Sequence, residues 1–513
     1  MTRGYQVIDL FAGPGGLAEG FSGYEDASGE RPFQVTLSVE RDAAAHRTLQ
    51  LRAFLRQFDA FPEEYYDALN LGQALPDWSE LYEGEWETAL DEALQLTLGT
   101  PEATEVVDAR IDDIVRLNVD TVLIGGPPCQ AYSLVGRARN KGVVGYVAED
   151  DHRHYLYKEY IRILSRLKPV AFVMENVKGI LSSSLDGERI FDRVVEDLRG
   201  AGGQPDSYEL FALSTSSIEG TALHRAKRSK DFIVKAEDFG VPQARHRVII
   251  IGVRKDLTPP SGRLTVPGMT STPSKLVDVL AKMPALRSRL SRGDDATAWR
   301  EALLRQIDRA ITASEEASSP AKLLEALRTY RETIDAKDNK AGPASTSPSG
   351  WPTDCPEDLK HWIADPELEV TLNHQARSHM ESDLARYFFS SVFRQAMGRP
   401  AKAKDFPPGL APDHANWDTG KFADRFRAQG WDEPSTTVTS HIAKDGHYFI
   451  HPAPEQCRAL TVREAARLQT FPDNYLFLGN TTQQYTQVGN AVPPFLARQI
   501  AEALDHLLSH SGR

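Results

Sequence analysis

Apolar residues gather in short, nearly unbroken runs at Tyr5–Leu10, Gln34–Glu40, Thr121–Gly125, Val170–Glu175 and Arg247–Val253. Between them, around Arg41–Arg56, Tyr155–Leu167 and Glu188–Ala201, apolar positions recur every three or four residues, the spacing of one helix face. A sheet with one wet face alternates polar and apolar residues along each strand, so runs without alternation predict strands covered on both faces. Strands and helices taken in turn predict a doubly wound α/β fold built on a parallel sheet.

Beyond Arg254 the pattern changes. Pro259, Pro260, Pro267 and Pro273 punctuate the chain, and a polar helical segment is predicted from about Ala298 to Thr333. Ala336–Gly350, rich in Pro, Ser, Gly and Ala, reads as a flexible linker, and Pro494–Leu507 as an amphipathic helix returning to the sheet. No apolar run approaches the roughly 18 residues of a membrane span. With 3 Cys in 513 residues and no export signal, the expectation is a protein of the reducing cytosol without membrane attachment.

A net charge of −13 argues against a polyanionic partner only if it is evenly spread. It is not: residues 1–120 carry −16, residues 121–260 carry +4 and residues 261–513 carry −1. Much of the acid lies in residues 59–105, which read as a solvated peripheral insertion facing away from any polyanion. Nucleic acid therefore remains a candidate partner.

Four motifs carry candidate chemistry. Val7–Leu17 runs from a strand through Phe11, Ala12, Gly13, Gly15 and Gly16 into a helix, and glycines there let backbone approach a ligand closely. The alternative is a tight turn with no ligand, but the next strand ends in Glu40, where an acid can accept hydrogen bonds from ribose hydroxyls. Gly125–Ser133 places Cys129 at a strand end behind Pro127 and Pro128, which suits an exposed nucleophile better than the small buried hydrophobe expected of Cys355 and Cys457. Val173–Val177 ends an apolar strand in Glu175 and Asn176, a catalytic pair or a helix cap. Gln243–Arg247 puts Arg245 and Arg247 on one face at period two, either a solvated edge or a site for a polar substrate.

In order, DLFAGPGG at 9–16, GGPPCQ at 125–130, MENV at 174–177, QARHR at 243–247, RALTVREAARLQTFPD at 458–473 and QVGNAVPP at 487–494 resemble the bacterial DNA (cytosine-5)-methyltransferases. The resemblance implies a Rossmann-like methyltransferase sheet with a second, smaller target-recognition domain. Expected boundaries are a catalytic domain at 1–260 with the acidic insertion 59–105, a recognition domain at 261–457 with its linker near 336–350, and a segment at 458–513 returning to the catalytic domain. The implied reaction moves a methyl group from S-adenosylmethionine to carbon 5 of a flipped-out cytosine, leaving S-adenosylhomocysteine. Cys129 would add to carbon 6, Glu175 would hold or protonate ring nitrogen 3, and Arg247 would hold the neighbouring carbonyl oxygen. Arg245 and Asn176 would be supporting contacts.

For the cofactor the resemblance implies Phe11, Ala12, Gly13, Gly15, Gly16 and Leu17 around the methionine part and Glu40 on the ribose. Pro128, Leu156, Asn490, Ala491 and Val492 would complete the pocket. An acid for the adenine amine is expected before the Cys129 strand; Asp108 fits by spacing, with Asp112 and Asp113 as rivals. No metal is expected. Double-stranded DNA would be met by Gln130, Ser133, Arg137 and Arg139 in a basic loop, by Thr436 and Thr437 in a recognition signature, and by the cations Arg394, Arg399, Lys402 and Lys404. A monomer is expected, marking DNA for a cognate restriction or phage-defence system. The same motifs leave two alternatives: a tRNA cytosine-5 methyltransferase, or a catalytically idle DNA-binding regulator.

Overall fold

The computed structural model describes residues 4–128, 156–185, 188–216, 220–258, 263–266, 273–336, 341–413, 417 and 425–510. Its centre is a ten-stranded sheet. Four parallel strands are those read from the sequence or nearly so: β1 (Tyr5–Leu10), β2 (Phe33–Glu40), β4 (Thr121–Gly125) and β5 (Ala171–Val177). A short β3 (Ala93–Gln95) extends the edge beside β2. On the other side of β5, β6 (Tyr208–Ser216), β7 (Gly220–Arg225), β8 (Ile233–Lys235), β10 (His246–Arg254) and β11 (Arg263–Val266) run in antiparallel pairs. The order is β11-β7-β6-β10-β5-β4-β1-β2-β3, with β8 against β10. The remaining β9 (Gln243–Ala244) pairs outside this sheet with β12 (Ser435–Thr436).

Burial on both faces accounts for the unbroken apolar runs. In β1, Tyr5 and Val7 join one apolar cluster with α1 (Gly16–Ser22) and the C-terminal helix Pro494–His510, while Ile8 and Leu10 join a second with helices Pro101–Arg116, Leu156–Leu167 and Ile190–Gly200. The C-terminal helix covers the sheet as expected. Among the described residues no helix is long and apolar enough to cross a membrane.

A third cluster gathers Trp299, Leu303, Ile307, Leu327, Tyr387–Phe389, Phe406 and Phe426. Its helices are Ala296–Glu316, Ala321–Ala336 and Glu381–Met397, so the single polar helical segment read from the sequence is two helices, broken ahead of Pro320. Packing and chain order divide the molecule differently. Leu276, Val279, Leu359, Ile363, Val438 and Ile442 lie within residues 261–457 yet pack in the cluster under the sheet.

Two expectations are corrected. Residues 59–105 are not a bare solvated insertion: most of their acids face out, but Tyr65, Trp78 and Ala89 pack with Phe54 in an aromatic-rich core, and β3 completes the sheet edge. Buried Glu92 accepts a hydrogen bond from Arg56 at 2.5 Å, which offsets part of the cost of its burial, though burial still holds its pKa above the usual carboxylate value. Of the segment 336–350, residues 341–350 are tied down rather than free. Arg287 N donates to Gly342 O at 3.1 Å, Ala376 N to Pro343 O at 2.8 Å and Gly350 N to Lys282 O at 3.0 Å. Backbone groups with fixed partners hold a chain of linker composition in place.

The aromatic core gives a direct test. Trp78 is buried, with its ring 4.7 Å from that of Phe54. Trp78→Ala is expected to cost about 3–5 kcal/mol in urea unfolding, whereas a solvated appendage would lose under about 0.5 kcal/mol.

Candidate functional site

Parallel strands deliver their ends, and the loops that follow, to one edge of the sheet. The edge carries Phe11–Gly16 after β1, Glu40 at the end of β2, Gly126–Pro128 after β4 and Glu175–Val177 at the end of β5. Because β10 runs antiparallel, its first residues meet the last of β5, with Arg247 opposite Val177 and Ile249 opposite Glu175. Four stretches far apart in sequence thus converge where open α/β sheets bind ligands.

At the β1 end the loop is shaped by Phe11, Gly13 and Gly15, all at positive φ (59°, 59° and 98°). Gly13 N donates to Glu40 Oε2 at 2.8 Å, and Asp42 N to Glu40 Oε1 at 2.7 Å, so the carboxylate is held at the rim of the loop. Space is open above Gly13, where an added Cβ would meet nothing within 4 Å. Gly16 is the opposite case: a Cβ there would collide with the carbonyl oxygen of Val492. That contact brings Ala491 and Val492 onto the loop, with Asn490 exposed beside them. The back of the loop is braced by residues that sequence reading missed. The Tyr475 hydroxyl donates to Pro14 O, and buried Arg52 pairs with Glu19 while lying 4.5 Å over the Tyr475 ring.

The strand next to Glu40 corrects the expected adenine acid. In β3, Gln95 stands opposite Glu40, so an amide occupies the rim there. Asp108, Asp112 and Asp113 sit instead on helix Pro101–Arg116, bound by Arg162 at 2.5 Å, Arg166 at 2.6 Å and Arg116 at 3.0 Å. Asp108 and Asp112 pair across to helix Leu156–Leu167, and Asp113 pairs within its own helix. Leu156 packs near the loop after β3, its Cδ2 3.7 Å from where a Cβ at Gly99 would lie.

At the β5 end Glu175 Oε1 lies 3.0 Å from Arg247 Nε, with the two side chains only 13% and 14% exposed. Burial lowers the pKa of Arg247, and Glu175 opposes that shift. Gly126 faces this carboxylate; a Cβ there would fall 2.9 Å from Glu175 Oε2. Asn176 Nδ2 donates to Pro127 O at 3.2 Å, fixing the residues that lead to Cys129. Cys129, Gln130, Ser133, Arg137 and Arg139 lie outside the described residues. Cys355 and Cys457 are buried thiols, the former pushed up to about 11 by burial.

Arg245 does not share a face with Arg247. The strand breaks at Arg245 because Gln243–Ala244 leaves the main sheet to pair with Ser435–Thr436. Its guanidinium, 2% exposed, donates to Val438 O at 2.6 Å and to Ala491 O at 2.8 Å. Burial, with Arg247 nearby, pulls its pKa well below the usual arginine value. Arg245 is therefore an internal brace rather than a contact at the cleft.

The recognition residues need similar correction. Thr436 Oγ1 donates to Gln429 Oε1 at 3.2 Å and Thr437 Oγ1 to Ala244 O at 2.6 Å, so both hydroxyl protons are used inside the protein. Arg394 is buried and bound to Glu433 at 2.6 Å, and Arg399 to Asp405 at 2.7 Å. Lys402 and Lys404 stand exposed. Among the described residues no cluster of His, Cys, Asp and Glu suits a metal ion.

The model of the C-5 cytosine-specific DNA methylase family matches residues 79–506. The type II methyltransferase M.Bpa9945I of Bacillus paralicheniformis is 32% identical, covering 98% of this chain and 99% of its own. The type II methyltransferase M.AgeI of Thalassovita gelatinovora is 27% identical, covering 98% and 100%. A crystal structure of a prophage-encoded protein from E. coli, assigned as a DNA modification methyltransferase, superposes with a TM-score of 0.53 at 20% identity, covering 99% of this chain and 100% of that one. That superposition shows a shared fold.

The two glycines of the loop separate space from conformation. Gly16→Ala forces the loop and Val492 apart and is expected to cost about 1–3 kcal/mol by thermal melting. Gly13→Ala has room and should cost only the roughly 1–2 kcal/mol of a left-handed residue. Melting unchanged by Gly16→Ala would show that the 491–492 backbone does not close on the loop.

Proposed function

This chain belongs to the family of C-5 cytosine-specific DNA methylases, and we propose that it methylates carbon 5 of a flipped-out cytosine in a specific double-stranded DNA sequence through a covalent Cys129 adduct. The observation that carries this residue-level reading is the Glu175–Arg247 pair, 3.0 Å apart at the edge where Gly126–Pro128 lead into Cys129. Cytosine carbon 5 is a weak nucleophile until a thiolate adds at carbon 6. That addition drives charge onto ring nitrogen 3, which takes a proton from the Glu175 carboxyl, and onto the adjacent carbonyl oxygen, which accepts a hydrogen bond from Arg247. Removal of the carbon 5 proton then expels Cys129. Asn176 acts from behind, through the Pro127 carbonyl.

S-adenosylmethionine supplies the electrophilic methyl group. Open space above Gly13, beside a rim acid at Glu40, fits a nucleoside carrying an amino-acid tail. Phe11–Leu17 hold the methionine part, Glu40 the ribose, and Pro128, Leu156, Asn490, Ala491 and Val492 enclose the rest. With the helix acids engaged elsewhere, Gln95 takes the adenine amine. Residues 1–260 and 458–513 form the catalytic domain and 261–457 the target-recognition domain. Relatives named as type II methyltransferases support a self-marking role beside a restriction or defence system in the bacterial cytosol.

The proposal is tested by incubating the protein with labelled S-adenosylmethionine and either plasmid DNA or tRNA. Label is expected in DNA as 5-methylcytosine; label in tRNA alone would overturn the reading. Cys129→Ser should abolish transfer while leaving cofactor binding nearly intact, since a hydroxyl supplies far less anion near neutral pH than a thiol with pKa about 8.5.

For the DNA surface, Lys402 and Lys404 remain as phosphate contacts outside the cleft. Replacing both with alanine should weaken binding to all sequences alike and flatten log affinity against log salt by roughly one to two units. An unchanged slope would place this loop away from DNA.

A further inference from the structure

Two exposed lysines stand at the catalytic edge, one on each flank of Arg247. Within the sheet, Val177 at the end of β5 and Val234 in β8 are the residues opposite Arg247 on its two sides. Lys178 follows Val177 directly, and Lys235 follows Val234 at the end of β8, opposite His246. Neighbouring strands lie about 4.8 Å apart, so each lysine backbone is a diagonal step of roughly 6 Å from Arg247. Lys178 and Lys235 are exposed, and among the described residues neither has a carboxylate partner. Two acids close by are engaged elsewhere, Glu175 with Arg247 at 3.0 Å and Glu237 with His246 at 2.6 Å. Arginines farther from the edge on these strands do have partners: Arg228 pairs with Asp231 at 3.1 Å and Arg254 with Asp256 at 2.8 Å. Positive charge is thus left unneutralised at the rim of the site and matched away from it.

We propose that Lys178 and Lys235 bind the phosphates on the two sides of the flipped nucleotide and so hold the target strand where it leaves the duplex. The inference rests on the assignment of the cytosine ring to Glu175 and Arg247. A base cannot reach that pair without its own sugar and phosphates, and a DNA strand carries one phosphate for about every 3.4 Å of helix axis. Lys178 is three residues beyond Glu175, and Lys235 lies across the sheet from the neighbour of Arg247, so the backbone that delivers the ring passes within reach of both. Lysine suits the task, because a compact charge on a flexible stem meets a phosphate from many angles. Such contacts carry no base identity, so they serve the target strand whatever sequence is read elsewhere. Because they form around the extruded nucleotide, they offset part of the few kcal/mol that unstacking and unpairing cost.

The test uses the full chain and a duplex carrying the methylated sequence, identified by sequencing modified plasmid. The phosphates on either side of the target cytosine are natural or replaced by uncharged methylphosphonates. Neutralising them should slow single-turnover methyl transfer by the wild-type protein roughly fivefold or more. The double variant Lys178→Ala, Lys235→Ala should show a similar loss on the natural duplex and less than about twofold further loss on the neutral one. Its thermal melting should match the wild type, since both side chains are exposed, and arginine at both positions should restore transfer. Lys227→Ala with Lys230→Ala, exposed cations farther from the edge on the approach to β8, should leave the full response to neutralisation. A wild-type protein indifferent to the neutral phosphates, a double variant that transfers like the wild type, or a variant whose loss is multiplied again on the neutral duplex overturns the inference. Wild-type protein that leaves no methyl group on plasmid DNA overturns instead the site assignment beneath it.

Discussion

A peptide group buried away from water must find partners, and at Val438 both partners are side chains from the far side of the cleft. Gln243 and Arg245 satisfy it by leaving the main sheet just before β10 begins. That departure pairs β9 with β12, sets the direction in which Arg247 enters the sheet, and brings the end of helix Thr481–Asn490 against the same turn. The start of β10, the backbone at Ala491 and the turn at Val438 are thus held by one set of buried hydrogen bonds.

Charge is handled in the same way elsewhere. The block at 458–473 places three arginines in the interior: Arg458 with Glu464 at 2.6 Å, Arg467 with Asp473 at 2.6 Å, and Arg463 on the carbonyls of Leu372, Pro472 and Tyr475. Such pairs add little net stability against apolar replacements, but removing one partner is costly, so they fix a single arrangement. The acidic N-terminal third is arranged differently, with most carboxylates outward over an aromatic core.

Much of the sheet and its edge was legible because it depends on local pattern. Apolar runs marked four parallel strands to within two residues at either end, and Glu40, Glu175 and Arg247 stood at the ends of those runs. What could not be read depends on distant partners. Arg394 and Arg399 read as part of a basic surface, but Glu433, far along the chain, and Asp405, just beyond the four cations, pair with them. Asp108 had the right spacing for the cofactor and the wrong element, since three residues of β3 inside a helix-like stretch give no strand signal. Arg245 fitted a period of two that the chain abandons at that residue.

The proposed reaction turns on a bond between Cys129 and a cytosine ring in DNA, formed beside the Glu175–Arg247 pair. Duplex DNA copied with 5-fluorocytosine in place of cytosine tests it most directly, because fluorine cannot leave carbon 5 as a proton does and the adduct cannot resolve. With S-adenosylmethionine present, mass spectrometry of the digested complex should find the methylated fluorocytosine nucleotide on the peptide containing Cys129. A complex with no covalent species, or with the nucleotide on Cys355 or Cys457, would contradict the account.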